Sequence, residues 1–256
     1  MTDYTNPTPL EPTSELPISD YRDQWLAAIA EFQPDASPEA LFDQIVQLHQ
    51  ELVTYNQHTN LTRITDPHGF LFRHVLDSLS LLPWIPTNAK VIDIGSGAGF
   101  PAIPLVLARP DIHVTAVESV GKKCRFIDLI RESFQLENRL TVINDRAEIV
   151  GRKGSASREQ FDVAVSRAVA KIPVLLELSA PMVKVKGRII AMKGESCQQE
   201  LSTAQKAITT LSVKLDNVHE LTQKALRGST LAIFSKEKQT LGVYPRNPGT
   251  PGKNPL

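Results

Sequence analysis

The chain has 256 residues, 41% of them hydrophobic and 22% charged, close to globular averages and enough for one large domain with an appendage. No run approaches the ~18 apolar residues of a membrane span, and the N-terminus, MTDYTNPTPLEPTSELP, lacks the apolar stretch of a secretory signal. The formal net charge of zero hides an asymmetry: residues 1–60 hold ten acids and one base, residues 61–256 hold 27 bases and 18 acids, so the larger part suits an anionic partner or simply its own acidic end.

Residues 1–18 carry Pro7, Pro9, Pro12 and Pro17 without an apolar period and read as a disordered, acidic, Pro-rich tail. A helical region is expected over 19–83. Its first helix starts at Ser19, with Tyr21, Trp25, Ile29 and Phe32 on one stripe. The second begins at the capping pair Ser37-Pro38 and turns Leu41, Ile45, Leu48 and Leu52 inward. The third follows Asp66-Pro67, with Leu71, Val75, Leu79 and Leu82 inward. From Lys90 β-rich runs (90–94, 113–118, 140–144, 161–166 and 188–192) alternate with helical patterns at about 100–109, 120–135, 171–183 and 196–210. Such alternation builds βαβ units and a parallel sheet with right-handed crossovers. Two further strands, 212–219 and 229–235, have too short a connection for a parallel crossover, so an antiparallel edge strand is expected. This α/β domain spans 84–238, and the Pro/Gly-rich residues 239–256 read as a C-terminal tail or extended arm.

The strongest chemical signal is VIDIGSGAGFPAIPL at 91–105. An apolar strand runs through Asp93, the chain turns through Gly95, Gly97 and Gly99, and Pro101 opens a helix whose free N–H groups face the crevice at the strand ends. A dinucleotide fingerprint needs its third glycine at position 100, where Phe100 stands. The order D-x-G-x-G-x-G instead resembles motif I of class I S-adenosylmethionine (SAM) methyltransferases, whose ligand has a methionine carboxylate and ammonium and no pyrophosphate. Glu118 ends the second strand, placed to accept hydrogen bonds from both ribose hydroxyls. In the SAM fold the loop Arg146-Ala147-Glu148 flanks the adenine, which offers the Ala147 backbone and the Glu148 carboxylate to the base edge. The fourth strand ends in Ser166-Arg167-Ala168 in place of Asp/Asn-Pro-Pro-Tyr, which argues against methylation of an exocyclic amine.

Taken in order, Asn56, Asn60-Leu61-Thr62, Arg73-His74-Val75-Leu76-Asp77-Ser78, the glycine loop with Phe100-Pro101, Glu118-Ser119 with Lys122-Lys123, Arg146-Ala147-Glu148, Ser166-Arg167-Ala168 and Lys193-Gly194 resemble the RsmG (GidB) family, bacterial 16S rRNA guanine-N7 methyltransferases. The resemblance covers about residues 37–238. Tyr244-Pro245-Arg246 and Gly249-Thr250-Pro251 also resemble the tail of longer members, whereas Ala102 stands where the family has Gly after Phe-Pro. The resemblance implies a class I SAM-dependent methyltransferase fold: a Rossmann-like sheet, mostly parallel with an antiparallel edge strand, preceded by a small helical region. It implies SAM as cofactor, S-adenosylhomocysteine as product, and methyl transfer to N7 of guanine 527 of 16S rRNA, in the 30S subunit or its assembly intermediate. The implied SAM contacts are Gly95, Phe100, Glu118, Ser119, Val120, Ala147, Glu148 and Arg167, with loop support from Asp93, Gly97 and Gly99.

Guanine N7 has an in-plane lone pair and no proton, so its methylation needs no general base. Candidates for positioning the base are Asn56, Asn60, His74, Asp77 and Arg167. His74 and Asp77, three apart on a helix, either share a working face or simply pair, and Asn60 serves equally well as a turn cap. Lys122, Lys123, Arg125 and Arg131 follow the second strand, and Lys184, Lys186, Arg188 and Lys193 surround the fifth, as a positive excess for RNA. Arg246 and Lys253 are expected to grip RNA from a tail that orders only on contact. Cys124 and Cys197 are too few for a disulfide framework or a four-thiolate zinc site and read as partly buried helix residues of a cytoplasmic protein. The histidines lack metal-ligand spacing, so neither a metal nor a membrane partner is expected. The competing readings are a nicotinamide-dependent dehydrogenase on the same sheet and a SAM-sensing or RNA-binding module without turnover.

Overall fold

The alternating runs from Lys90 onward form seven strands: β1 (Lys90–Ile94), β2 (His113–Val117), β3 (Leu140–Ile143), β4 (Phe161–Arg167), β5 (Val183–Lys193), β6 (Val213–Glu220) and β7 (Thr230–Lys236). The computed structural model describes residues 16–256, so most of the expected N-terminal tail lies outside the described residues. The strands make one sheet in the order β3-β2-β1-β4-β5-β7-β6. Strands β1 to β5 pair in parallel, and β7 runs antiparallel between β5 and β6. The short connection between β6 and β7 dictates that reversal, because a parallel return needs a long crossover. Since β2 and β4 lie on opposite sides of β1, the winding direction switches there, and the loops leaving β1 and β4 diverge to open a crevice.

Helices cover both faces. α1 (Arg22–Ile29), α2 (Pro38–Thr59), the short turns α3 (Pro67–Gly69) and α4 (Asp77–Leu79), α5 (Ala102–Ala108) and α6 (Gly121–Ser133) lie on one side. α7 (Ala147–Val150), α8 (Ile172–Ser179), α9 (Cys197–Ser202) and α10 (Gln205–Thr210) lie on the other. The period-2 alternation of β1 serves both layers: Val91 packs with the first, Ile92 and Ile94 with the second. Trp25, Ile45 and Leu52 share a continuous core with Ile103 and Phe126, so the helical region is packed onto the sheet. α2 starts as expected, with the Ser37 hydroxyl accepting from Ala40 N and Pro38 in the first turn; it stops where Asn60 adopts the left-handed conformation, at φ 49°.

Three expectations are corrected. The third helix is not regular: Phe70–Leu76 is π-helical, and six of its seven residues are buried, a load that one 3.6-residue stripe does not accommodate. The helix expected over 196–210 breaks into α9 and α10, where the Ser202 and Thr203 hydroxyls donate to the carbonyls of Gln199 and Glu200 and compete with the helix ladder. Residues 239–256 do not wait for RNA to order. They end in α11 (Thr250–Lys253) beside α8, bury Pro251, and set Tyr244 and Leu256 against the core.

Candidate functional site

All three glycines after β1 have left-handed backbone, with φ 71° at Gly95, 59° at Gly97 and 88° at Gly99. Their surroundings differ. A Cβ on Gly95 would lie 2.7 Å from Val169 Cγ2, and one on Gly99 would collide with Ile103. A Cβ on Gly97 meets no described atom within 4 Å, so this turn faces open space. Glu118 joins the two neighbouring loops: its Oε2 accepts from Gly97 N at 2.9 Å and its Oε1 from Val120 N at 2.8 Å. Each oxygen keeps a further lone-pair position, which is what a vicinal diol requires.

Asp93 is fully buried beneath this loop. Its Oδ2 accepts from Ala102 N at 3.2 Å, whereas Oδ1 has no partner among the described residues. The Ala102 side chain takes no part in this contact, since the backbone N–H makes it. Burial pushes the Asp93 carboxyl up to about 7. An orphaned buried carboxylate oxygen is costly and calls for a functional account.

The crevice is a cavity of about 110 Å³ lined by Gly95, Glu118, Ser119, Arg146, Ala147 and Val169, among others. Two of the expected contact residues also have partners inside the protein. Glu148 is only 5% exposed, and its carboxylate accepts from Arg146 Nη2 at 2.8 Å, Arg146 Nε at 3.2 Å and Gly249 N at 2.8 Å. Oε1 is thereby used inside the protein, while Oε2, which accepts only from Arg146 Nε, keeps a lone-pair position at the crevice wall beside the Ala147 backbone. The Phe100 ring is buried, stacked on His74 at 4.6 Å between centroids and edge-on to Phe70 at 5.9 Å, so only its backbone faces the loop.

Val169 also borders a second cavity, of about 430 Å³, lined by Asp77, Arg167, Lys193, Ser229 and Leu231. Here the π-helical segment meets the end of β4. Arg167 donates from Nη1 to Arg73 O at 2.8 Å and from Nη2 to His74 Nδ1 at 2.9 Å, and Nη1 lies 3.5 Å from Asp77 Oδ2. His74 and Asp77 therefore do gather, through Arg167. Because a guanidinium only donates, His74 Nδ1 is bare and Nε2 carries the proton toward Thr62 Oγ1, 3.0 Å away. Burial, aided by the Arg167 charge, pushes His74 down to about 3; burial raises Asp77 and lowers Arg167. His74 is thus a neutral acceptor at neutral pH.

Folded His74 resists a proton that the unfolded chain takes up from about pH 6.5 downward, so its contribution to stability is complete above that pH and is lost as pH falls towards 3. Denaturant melts should show wild type losing up to about 1.4 kcal/mol per pH unit more than His74→Asn across this window; equal slopes would refute the burial argument.

Asn56 and Asn60 do not join this cluster. The Asn56 amide accepts from Leu61 N and Thr62 N at 2.6 and 3.1 Å and donates to Thr62 O at 3.1 Å, so it holds the loop that carries Thr62 to His74. Asn60 is the left-handed cap of α2.

Comparison with known proteins bears on what this pair of cavities belongs to. Residues 42–229 match the family described as GidB, rRNA small subunit methyltransferase G. The chain belongs to this family. It is 36% identical over 237 residues to ribosomal RNA small subunit methyltransferase G of Bacillus subtilis, covering 91% of this chain and 98% of that one. The corresponding protein of Desulforamulus reducens is 41% identical over 208 residues, with 80% and 86% covered. A solved structure from Methanococcus maripaludis, described as a candidate S-adenosyl-L-methionine-dependent methyltransferase, superposes with a TM-score of 0.52 at 12% identity, over 75% of this chain and 94% of that one, a likeness of fold.

The span matched to the family contains both cavities' polar clusters, but the arm that reaches Glu148 lies beyond it. Several expected RNA-facing bases are engaged within the protein. Lys193 Nζ lies 2.8 Å from Glu200 and also donates to Ala170 O; Lys184 pairs with Asp162 at 2.6 Å; Arg131 pairs with Asp128 at 3.0 Å; and Arg188 donates to Trp84 O at 3.1 Å. Arg246 is bound to Glu177 at 2.6 Å, which corrects its expected freedom. Val169 and Ser229, which help shape the cavities, were absent from the sequence expectations, because neither sits in a pattern that marks it.

Proposed function

We propose that this chain transfers the methyl group of SAM to N7 of guanine 527 in 16S rRNA of the small ribosomal subunit. The supporting observation is the order of unmet valences along the glycine loop: an orphaned Asp93 Oδ1 buried beneath it, open space over Gly97, and the spare lone pairs of Glu118 in the crevice wall. In that order they suit an ammonium, an amino-acid stem and a ribose diol. SAM, when bound, supplies an electrophilic sulfonium methyl. Asp93 would hold the donor's ammonium, Glu118 its ribose, and the backbone beside Ala147 its adenine. Arg167, locked to Arg73 O and His74, lines the second cavity, which meets this crevice at Val169, and there it would orient the incoming base. A neutral His74 whose Nδ1 is occupied takes no proton from a substrate, and N7 has none to give. Catalysis then rests on alignment at near-attack distance. The target lies in folded RNA, so shape recognition contributes.

Transfer of labelled methyl to 30S subunits and to naked 16S rRNA, with the modified nucleoside located by mass spectrometry, tests the proposal. N7-methylguanosine at position 527 is expected; incorporation elsewhere, or none at saturating SAM, overturns it.

The Asp93 carboxyl, raised to about 7, adds a pH signature. Below that value it is protonated and cannot pair with an ammonium, so donor affinity should fall by about an order of magnitude from pH 7.5 to pH 6, with proton release on binding at pH 6.5. Calorimetry in buffers of different ionisation enthalpy reads both; a flat profile rules out Asp93 as the ammonium's partner.

A further inference from the structure

The C-terminal arm touches the protein at two acids that both adjoin the donor crevice. Glu177, on α8, is fully buried; its Oε1 accepts from Arg246 N and Nε, both at 2.9 Å, and its Oε2 from Arg246 Nη2 at 2.6 Å. The next residue on α8, Leu178, lines the crevice. Three residues past Arg246, Gly249 turns with φ 82° and donates its N–H to Glu148 Oε1, the atom that also accepts from Arg146. Arg146 and Ala147 form the crevice wall. The arm's entry is stapled as well: the Arg158 guanidinium donates to the carbonyls of Thr240, Leu241 and Tyr244 at 2.6, 3.2 and 2.9 Å. Glu148 itself lines the crevice, and the arm helps hold its carboxylate in place there.

We propose that residues 239–256 are a clasp that sets the adenine end of the donor crevice, with Arg246 and Gly249 as positioning residues. Arg246 anchors the arm on α8. Gly249 pins Glu148, Glu148 orients Arg146, and the backbone around Ala147 is thereby fixed as a base-reading edge. The inference rests on the reading of this crevice as a SAM site.

Full-length variants test it. Arg246→Ala alone strands the buried Glu177 charge and risks unfolding, so it is paired with Glu177→Gln. Gly249→Val independently disfavours the left-handed turn, φ 82°, that aims this N–H at Glu148, at a position where an added Cβ meets no described atom within 4 Å. Calorimetry with S-adenosylhomocysteine and with its inosine analogue reads the adenine edge, which a merely structural role would not single out. Both unlatched variants should bind S-adenosylhomocysteine about tenfold more weakly and lose most of their preference for it over the inosine analogue, with kcat at saturating SAM within about twofold of wild type. Arg246→Lys should recover part of the loss. Folded variants with wild-type affinity and preference would overturn the clasp while leaving the donor site standing. Failure of the wild type to bind S-adenosylhomocysteine would overturn both.

Discussion

Gly97→Leu should abolish donor binding in a protein that still folds. An L-residue at φ 59° costs about 1–2 kcal/mol of backbone strain. That is tolerable within a typical stability of about 5–15 kcal/mol. The added side chain meets no protein atom at its Cβ and grows into the opening over the loop, beside the N–H that Glu118 holds. The donor's stem would have to share that volume, so affinity should drop at least ~100-fold. Gly99→Ala supplies the contrast. Its Cβ collides with Ile103 inside the core at φ 88°, so its main loss should be thermal stability. Calorimetric titration with SAM alongside thermal melts separates the two. Wild-type affinity in folded Gly97→Leu would place the donor elsewhere and remove the basis of the proposed activity.

Arg167→Ala should be the most damaging single change to methyl transfer. It removes the donor that Arg73 O and His74 Nδ1 share and leaves Asp77 buried without its cation. Breaking a buried pair in this way typically costs about 3–5 kcal/mol. The larger effect is on alignment. Arg167 ties the π-helical segment to the end of β4 and borders the second cavity, so its loss lets the two walls of that cavity move independently. A misplacement of about 1 Å costs on the order of 100-fold in rate, and a fall of about 100- to 1,000-fold in single-turnover methyl transfer to 30S subunits is expected. Arg167→Lys should not rescue it, because one ammonium cannot reproduce the planar fork. Arg167→Ala with Asp77→Asn should regain stability without regaining rate. Normal turnover in a folded Arg167→Ala protein would reduce Arg167 to mortar between helical region and sheet.

Much of this architecture was legible in residue order. Five parallel strands and a terminal pair follow from β-rich runs separated by helix-length patterns, and the start of α2 follows from Ser37-Pro38. Gly95 and Glu118 line the crevice after β1, and Asp93 is buried beneath the glycine turn. What residue order did not show has a common cause. The Phe100 ring is used in stacking on His74, which leaves only its backbone toward the loop. Arg246 looked like a free charge, yet it is paired with Glu177, 69 positions earlier, and Glu148, already paired with Arg146, takes a further hydrogen bond from the distant Gly249 N–H.

Local chemistry by itself determined the strands, the caps, the left-handed turn and the acid that closes it, because each depends on backbone preference and on neighbours a few residues away. Only the tertiary structure decided which polar groups face a ligand and which are used up internally. Arg167 meets the carbonyl of a residue 94 positions earlier, and Glu148 meets an amide 101 positions later. Such pairings arise because a buried charge must find a donor or acceptor wherever folding brings one within 3 Å, and no periodicity in the chain encodes that meeting.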